Sequence, residues 1–454
     1  MANNNSTFTL RRSLAFITIS GCLSMLYATT TQSPATIEFF RRLGANEFHF
    51  GLIGAVPLVM LFMQFLGALM TARVRERKRL FLVMAICSRL LYIPLAFVPM
   101  LFPSLRANTT IFILILLLAL NQGMANLVLP MWFSWMGDLI PQVVLNRFWG
   151  ERHRWVQLTW MICYVLIGAV TYFVNLPITL VYPILVMVGC AAGVTDALLF
   201  IWVLEPANPV ARRQGILEML LAPLRHGQYR NFVVFSCIWS AAVTFASSFM
   251  QLFLLKMLNI GVWQTVLMWS AYGPGSVLTA RVWGKAADRF GNAPVLKVCL
   301  HFKPIIVLVY LFINAKTALF ILPTVFFFDG ILNTGLAIAS NGYMLKIAPR
   351  ENRSMYIAAI TGLAGICGGL ATLAAGSFLQ SLSGFSFAAL GKDWNNYHLL
   401  FALGVLLRVA CIPAAYMVHE PNSATPGHVI GYLKDVWRVR LLAFPARRHP
   451  RYGR

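Results

Sequence analysis

The residues of this sequence best suited to chemistry are few, and they lie where charge is hardest to hold. Asp329 stands inside an apolar stretch long enough to cross a bilayer, with Asn333 one helical turn further on, so the two share a helix face. A carboxyl buried among amides favours its neutral form, and such a group suits reversible protonation. Asn121 holds the like position in the first half of the chain. Gln32, Gln122, Asn126, Trp239 and Gln251 lie on other apolar stretches and offer hydrogen bonds or a ring face to a solute. Arg89 and Asp196 are a second set of ionisable groups inside apolar segments, a placement costly enough to need a reason. They lie about ten and about eight residues from the same membrane face, a depth difference of ~3 Å at ~1.5 Å per residue. That match is what a structural ion pair between Arg89 and Asp196 would need, and such a pair is expected if their two spans are neighbours.

Other chemistries lack their residues. The eight cysteines fall one per apolar segment with no CxxC pair, so neither a disulfide framework nor a metal centre is expected. No phosphate-binding P-loop is present. The segments between apolar stretches offer only scattered acids (Glu38, Glu47, Asp393) and His49, not a gathered catalytic set. The expectation is no cofactor, no metal and no enzyme.

The elements that must position these residues are readable from hydropathy. With 59% apolar and 11% charged side chains, the chain is too hydrophobic for a soluble protein. Twelve segments of roughly 20 or more residues can each cross ~30 Å of hydrocarbon. They are 13–36, 50–71, 80–101, 110–136, 156–176, 179–203, 231–254, 261–282, 295–314, 317–344, 355–380 and 397–418. The reading is an all-α integral membrane protein.

A net charge of +23 would suit a nucleic-acid binder, but its distribution excludes that reading. Of the 37 Lys and Arg, 28 fall on one side of a twelve-span topology and 6 on the other; Arg89, Lys303 and Arg408 lie inside spans. The bias places both termini in the cytoplasm. The partners expected are a lipid bilayer, a small-molecule substrate and protons. No nucleic acid and no second copy of the chain is expected, and short loops favour a bacterial inner membrane.

The chain also repeats itself. An offset of 217 sets Gly44 on Gly261, Pro57 on Pro274 and Gly67 on Gly284, and an offset of 208 sets Asn121 on Asp329 and Pro141 on Pro349. This divides the chain into a bundle at 1–204, a basic linker at 205–230, a second bundle at 231–419 and a basic tail at 420–454. The linker is expected to form a short surface helix, as is the tail over 428–444.

Between the eighth and ninth spans, GKAADRFG places Gly284, Asp288, Arg289 and Gly291 in a short basic loop. The pattern G-x-x-x-D-R-x-G resembles the loop signature of the major facilitator superfamily of secondary transporters. Asp138 with Pro141 and Arg147, and Pro349 with Arg353, resemble that family's acid–proline–arginine loops after helices 4 and 10. The resemblance implies two six-helix bundles with a cavity lined by helices 1, 4, 7 and 10, and a gating role for both sets of loops. Aligned with the signature, the first half reads GALMTARV at 67–74, with Thr71 and Ala72 in place of acid and arginine.

The reading is therefore a secondary active transporter moving a small organic solute by alternating access, with Asp329 carrying the proton or touching the solute. Three alternatives stay open: a drug or metabolite exporter of the same fold, a non-transporting scaffold or sensor, and a multi-pass membrane enzyme.

Overall fold

Apolar stretches of this length can satisfy their backbone in hydrocarbon only as helices or closed barrels. In the computed structural model they are helices. Residues 2–74, 76–140, 142–174, 176–206, 224–348, 353–389 and 392–442 are described. The first half holds α1 (Ala2–Thr31, resuming as Pro34–Arg42), α2 (Glu47–Val59 and Met63–Arg73), α3 (Arg77–Leu90 and Tyr92–Leu101), α4 (Ala107–Leu139), α5 (Gln142–Phe173) and α6 (Ile178–Leu199). The second holds α7 (Gly227–Lys256), α8 (Val262–Ser270 and Tyr272–Phe290), α9 (Asn292–Leu308), α10 (Ala315–Ile347), α11 (Arg353–Ser381) and α12 (Asn396–Ala415). Eleven of these spans are long and apolar enough by themselves. The twelfth, α8, breaks at Ala271, and its longer piece carries Arg281, Lys285, Asp288 and Arg289.

Three elements differ from expectation. Between α11 and α12 the chain folds into an antiparallel hairpin, β1 (Ser386–Ala389) on β2 (Lys392–Asn395), with the Phe387 and Trp394 rings stacked. The tail forms α13 (Pro426–Leu442), and it docks on protein as well as facing outward. Val429 is fully buried, and Tyr432 packs against Phe290 at the end of α8. The linker gives up its last residues to α7, which begins at Gly227; the expected surface helix falls largely on 207–223, outside the described residues.

The repeat is visible in bonds as well as in order. At the end carrying both chain termini, Trp135 on α4 donates to the Leu204 carbonyl, and Tyr343 on α10 donates to the His419 carbonyl. The Lys78 amide donates to Glu205 at 3.0 Å, and the Ala293 amide donates to Glu420 at 2.9 Å. In each half, then, a carboxylate just past the sixth helix caps the start of the third.

The helix ends keep the alignment of the signature. Gly67 and Gly284 stand at like places before the ends of α2 at Arg73 and α8 at Phe290, and Gly67 faces Leu127 on α4 as Trp283 faces Gly335 on α10. GALMTARV at 67–74 therefore matches GKAADRFG at 284–291, with Thr71 and Ala72 in place of the acid and the arginine. The signature is not a loop, however. Gly284, Asp288 and Arg289 lie in the last turns of α8, and Gly291 alone makes the turn, at φ 96°. A side chain at Gly291 would be strained by that φ and would meet Ser423 and Glu420.

Glu420 ties three helix ends together. It accepts from the Lys346 ammonium at 2.9 Å, from the Ala293 amide and from the Asn292 side chain. Burial alone would favour its neutral form, but the Lys346 bond and the backbone amides hold its pKa below the ordinary 4.5. A carboxylate depressed in this way contributes stability that is present above 4.5 and lost as pH falls through its folded-state value. Glu420→Gln is expected to lower unfolding free energy by about 1–3 kcal/mol at neutral pH. The same variant should flatten the acid limb of the thermal-midpoint profile in detergent, and an unchanged acid limb would contradict the assignment.

Candidate functional site

The centre of the second bundle holds a charged network that the apolar pattern of the sequence conceals. On α9, the Lys303 ammonium lies 2.5 Å from Asp329 Oδ1 and 2.8 Å from Asn333 Oδ1. Asn333 Nδ2 donates to the other carboxylate oxygen at 2.9 Å, as the one-turn spacing on α10 allows. Arg408 on α12 completes the group, donating to the backbone carbonyls of Lys303 and Val243 at 3.3 Å each. Lys303 is 4% exposed and Arg408 2%. The Asp329 side chain keeps 15%. Asn333 also meets the Tyr272 side chain, just past the break in α8. Tyr272 in turn lies 6.2 Å, ring to ring, from Trp160 on α5 of the other bundle, and Trp160 packs on Tyr164 at 4.5 Å. A polar path therefore runs from the core of one bundle to the face of the other.

The expectation of a carboxyl among amides is thus amended: Asp329 faces an ammonium first. Lys303 and Arg408 were visible in the sequence only as cations inside spans. Their depth and their separation from the loops were the available signal.

The first bundle uses equivalent helices with different charges. Arg89 Nη2 on α3 lies 2.9 Å from Asp196 Oδ2 on α6, and the Ser20 hydroxyl donates to the same carboxylate. The Arg89 guanidinium also lies over the Tyr27 ring, 5.4 Å from its centroid. Gly193 leaves room for this arginine, since a Cβ there would sit 2.6 Å from Arg89 Cγ. Asn121 is buried and donates to the Tyr27 hydroxyl at 2.9 Å and the Ser88 carbonyl at 2.6 Å. It ties α4 to α1 and α3 and does not face open space.

The remaining candidates separate into groups. Gln32 and Gln122 both reach the Tyr92 hydroxyl. Asn126 accepts from Gln64 at 3.0 Å, and Gln64 accepts from Thr361 on α11, so this chain crosses between bundles. Trp239 and Gln251 are half-buried on α7, away from the Asp329 network's hydrogen bonds. Asp138 pairs with the buried Arg77 at 2.6 Å. The side chains of Arg147 and Arg353 lie outside the described residues. Asp288 and Arg289 are exposed; among the described residues Asp288 makes no ion pair, and Arg289 lies over Phe290. The helix-bridging role expected of them is filled by Glu205 and Glu420. Both acids are followed by proline, at an offset of 215, and that repeated Glu-Pro was the missed sequence signal.

The bundles touch most closely at the end away from the termini. Glu47 at the start of α2 pairs with Lys256 at the end of α7 and accepts from the Tyr397 hydroxyl at 3.4 Å. Below them, Gly51 and Gly376 bring α2 and α11 into backbone contact. Trp263 meets Tyr172 across α8 and α5.

Comparison with known proteins places this architecture. The family pattern described as Major Facilitator Superfamily matches residues 17–372. The chain belongs to the major facilitator superfamily. A search of curated proteins finds no match. Among solved structures, a point mutant of the nucleoside transporter NupG is similar with a TM-score of 0.69 at 12% identity, covering 90% of this chain and 100% of that one. A bacterial homologue of the lysosomal transporter Spinster, inward-facing and unoccupied, gives 0.56 at 12% identity over 97% of this chain and 98% of its own. An outward-facing bacterial homologue of the iron transporter ferroportin gives 0.54 at 13% over 90% and 98%. At these identities the likeness is one of fold. Family membership makes the chain a multi-pass membrane transporter, and the enzyme reading falls away.

Two outcomes follow from the geometry. Asp196→Asn leaves Arg89 buried without its counter-charge, and unfolding free energy should fall by about 3–5 kcal/mol. The double variant Arg89→Met with Asp196→Leu should recover most of that loss in detergent melts; failure to recover would mean the pair is not the cause. Glu47→Gln should weaken the seal between bundles by up to about 1 kcal/mol, a shift of up to roughly fivefold in the open population. In a cysteine-free background, a cysteine at Ser248 should then react faster with an impermeant thiol reagent.

Proposed function

We propose that this chain is a secondary active transporter that imports a small, uncharged or weakly charged organic solute, sugar-like in its polarity, together with protons. Both termini face the cytoplasm of a bacterial cell, and the protein works as a monomer in the inner membrane. The observation that carries the reading is the Asp329 carboxylate. It is held within the membrane span by Lys303 and Asn333, and it keeps a partly exposed edge beside Tyr272. Such a carboxylate has two stable arrangements. Ionised, it binds Lys303; protonated, it releases the ammonium and frees Asn333 for a solute. A proton and a solute that favour the same bundle arrangement are coupled by that preference alone.

The closed end, with Glu47, Lys256 and Tyr397, supports a cycle in which the bundles rock about the Trp160–Tyr272 contact. The gating residues are the helix-end carboxylates, with Gly284, Asp288, Arg289 and Gly291 shaping the end of α8. The nucleoside transporter among the similar structures agrees with a polar organic cargo. The non-transporting scaffold is the rival reading, favoured by Thr71 and Ala72 standing where the first half would need the signature's acid and arginine.

The test is a solute panel in proteoliposomes with and without an imposed proton gradient. The wild-type chain should accumulate at least one sugar-bearing solute only with the gradient. Asp329→Asn should still exchange that solute across the membrane but lose gradient-driven accumulation by roughly 100-fold, the scale of a missing essential proton carrier. Proton-driven uptake by Asp329→Asn at the wild-type rate would overturn the role of Asp329. Failure to move any solute would favour the scaffold.

A further inference from the structure

The charges at the centre of the second bundle do not balance. Lys303 and Arg408 are both cations and both nearly fully buried, yet among the described residues Asp329 is the one carboxylate whose field reaches them. The nearby Cys299 is a thiol, neutral at ordinary pH. Two donors of the same bundle core are also unmatched. Among the described residues, Arg408 Nε and the Tyr310 hydroxyl have no hydrogen-bond partner, although Tyr310 is 0% exposed. Arg408, Tyr310 and Asp329 lie within one another's electrostatic reach. A surplus positive charge in hydrocarbon is expensive unless it is paired and hydrogen-bonded, and a buried donor left unmatched adds to the cost. One ligand meets both needs at once: a small acceptor bearing a single negative charge.

We propose that Arg408, Lys303 and Tyr310 form a binding site for one small monovalent anion, a halide or a carboxylate group, in the core of the second bundle. Arg408 Nε and the Tyr310 hydroxyl donate to it. Lys303 supplies charge while its own donors stay on Asp329 and Asn333. The half-buried Asn333 and Tyr272 make the edge through which the anion reaches the site from between the bundles. The first bundle does not repeat the arrangement: the offset of 215 that pairs Glu205 with Glu420 sets Gly193 on Arg408 and Ser88 on Lys303. The halide form stands whether or not the chain is a proton-coupled transporter. The carboxylate form rests on that reading, since it makes the anion part of the solute.

The experiment is thermal unfolding of the purified full-length protein in detergent, at constant ionic strength, with chloride, formate or acetate replacing methanesulfonate. The wild-type midpoint should rise by a few degrees and saturate, as for any ligand that binds only the folded state. Tyr310→Phe removes one donor at constant volume and should raise the half-saturating concentration about tenfold. Lys303→Met leaves Asp329 and Arg408 balanced one to one, so its midpoint should not respond to anions and should match or exceed the wild type in methanesulfonate. A response to chloride assigns the site to an inorganic ion, and a response to formate and acetate alone assigns it to a carboxylate of the solute. A wild-type midpoint indifferent to all three anions would overturn the site. A Lys303→Met protein with the full wild-type response would equally overturn it, by placing the anion elsewhere.

Discussion

A charge within ~30 Å of hydrocarbon has no water to turn to and must find its counter-charge inside the protein. That constraint decides which helices of this chain can be neighbours and how each is rotated. Arg89 turns α3 toward Asp196 on α6, and Lys303 turns α9 toward Asp329 on α10. Arg408 turns α12 inward to the backbone of α7 and α9. Hydrophobic association cannot set these rotations, because lipid tails are as apolar as the helix faces they would replace. Ion pairs, backbone contacts at glycine and a few hydrogen bonds supply the specificity instead.

The two halves solve the problem on the same helices with different residues. Arg89 and Lys303 lie on the third helix of each half, Asn121 and Asp329 on the fourth, and Asp196 and Arg408 on the sixth, so the acid sits on the sixth helix of one half and the fourth of the other. In the first half Asn121 is spent on holding Tyr27 and the α3 backbone. In the second, the same place holds a carboxylate with an exposed edge. A duplicated scaffold thus carries a neutral amide at this place in one half and a carboxylate in the other. The helix ends keep the older symmetry: Glu205 and Glu420 cap equivalent amides, while Asp138 and Lys346 exchange sign.

Much of this was legible before any coordinates. Span number and the two-bundle plan follow from hydropathy and the repeat, and matched depth made Arg89 and Asp196 candidates for a pair once the family resemblance set their helices side by side. What the sequence hid was helix rotation. Lys303 and Asp329 are 26 residues apart on separate spans, and apolar segments this uniform carry little moment to say which way a lysine turns. The register of the repeat is carried by the helix ends: GALMTARV and GKAADRFG each close their helix, whereas the TARV shared by 71–74 and 279–282 lies at different depths in the two halves. The hairpin at 386–395 escaped because its strands are short and lie between spans, where hydropathy is silent.

The division of contacts also explains how such a molecule can move without coming apart. Within each bundle the bonds are charged and buried, and losing one partner there is costly. Between bundles they are of another kind: glycine against backbone at Gly51 and Gly376, amide to hydroxyl from Gln64 to Thr361, ring to ring from Trp160 to Tyr272. Each is weak, and each group can find a substitute in water or in a solute when the bundles part. Glu47 with Lys256 is the exception, a charged pair between bundles, and it sits at the rim, where Lys256 is already 41% exposed and loses little by hydration. Strong interactions therefore define two rigid bodies, and weak or solvent-replaceable ones define the surface along which they rock. Asp329 stands where the two regimes meet, bonded inward to Lys303 and linked outward through Asn333 and Tyr272 to the other bundle. Under the proposed coupling, a change in its protonation would reach both.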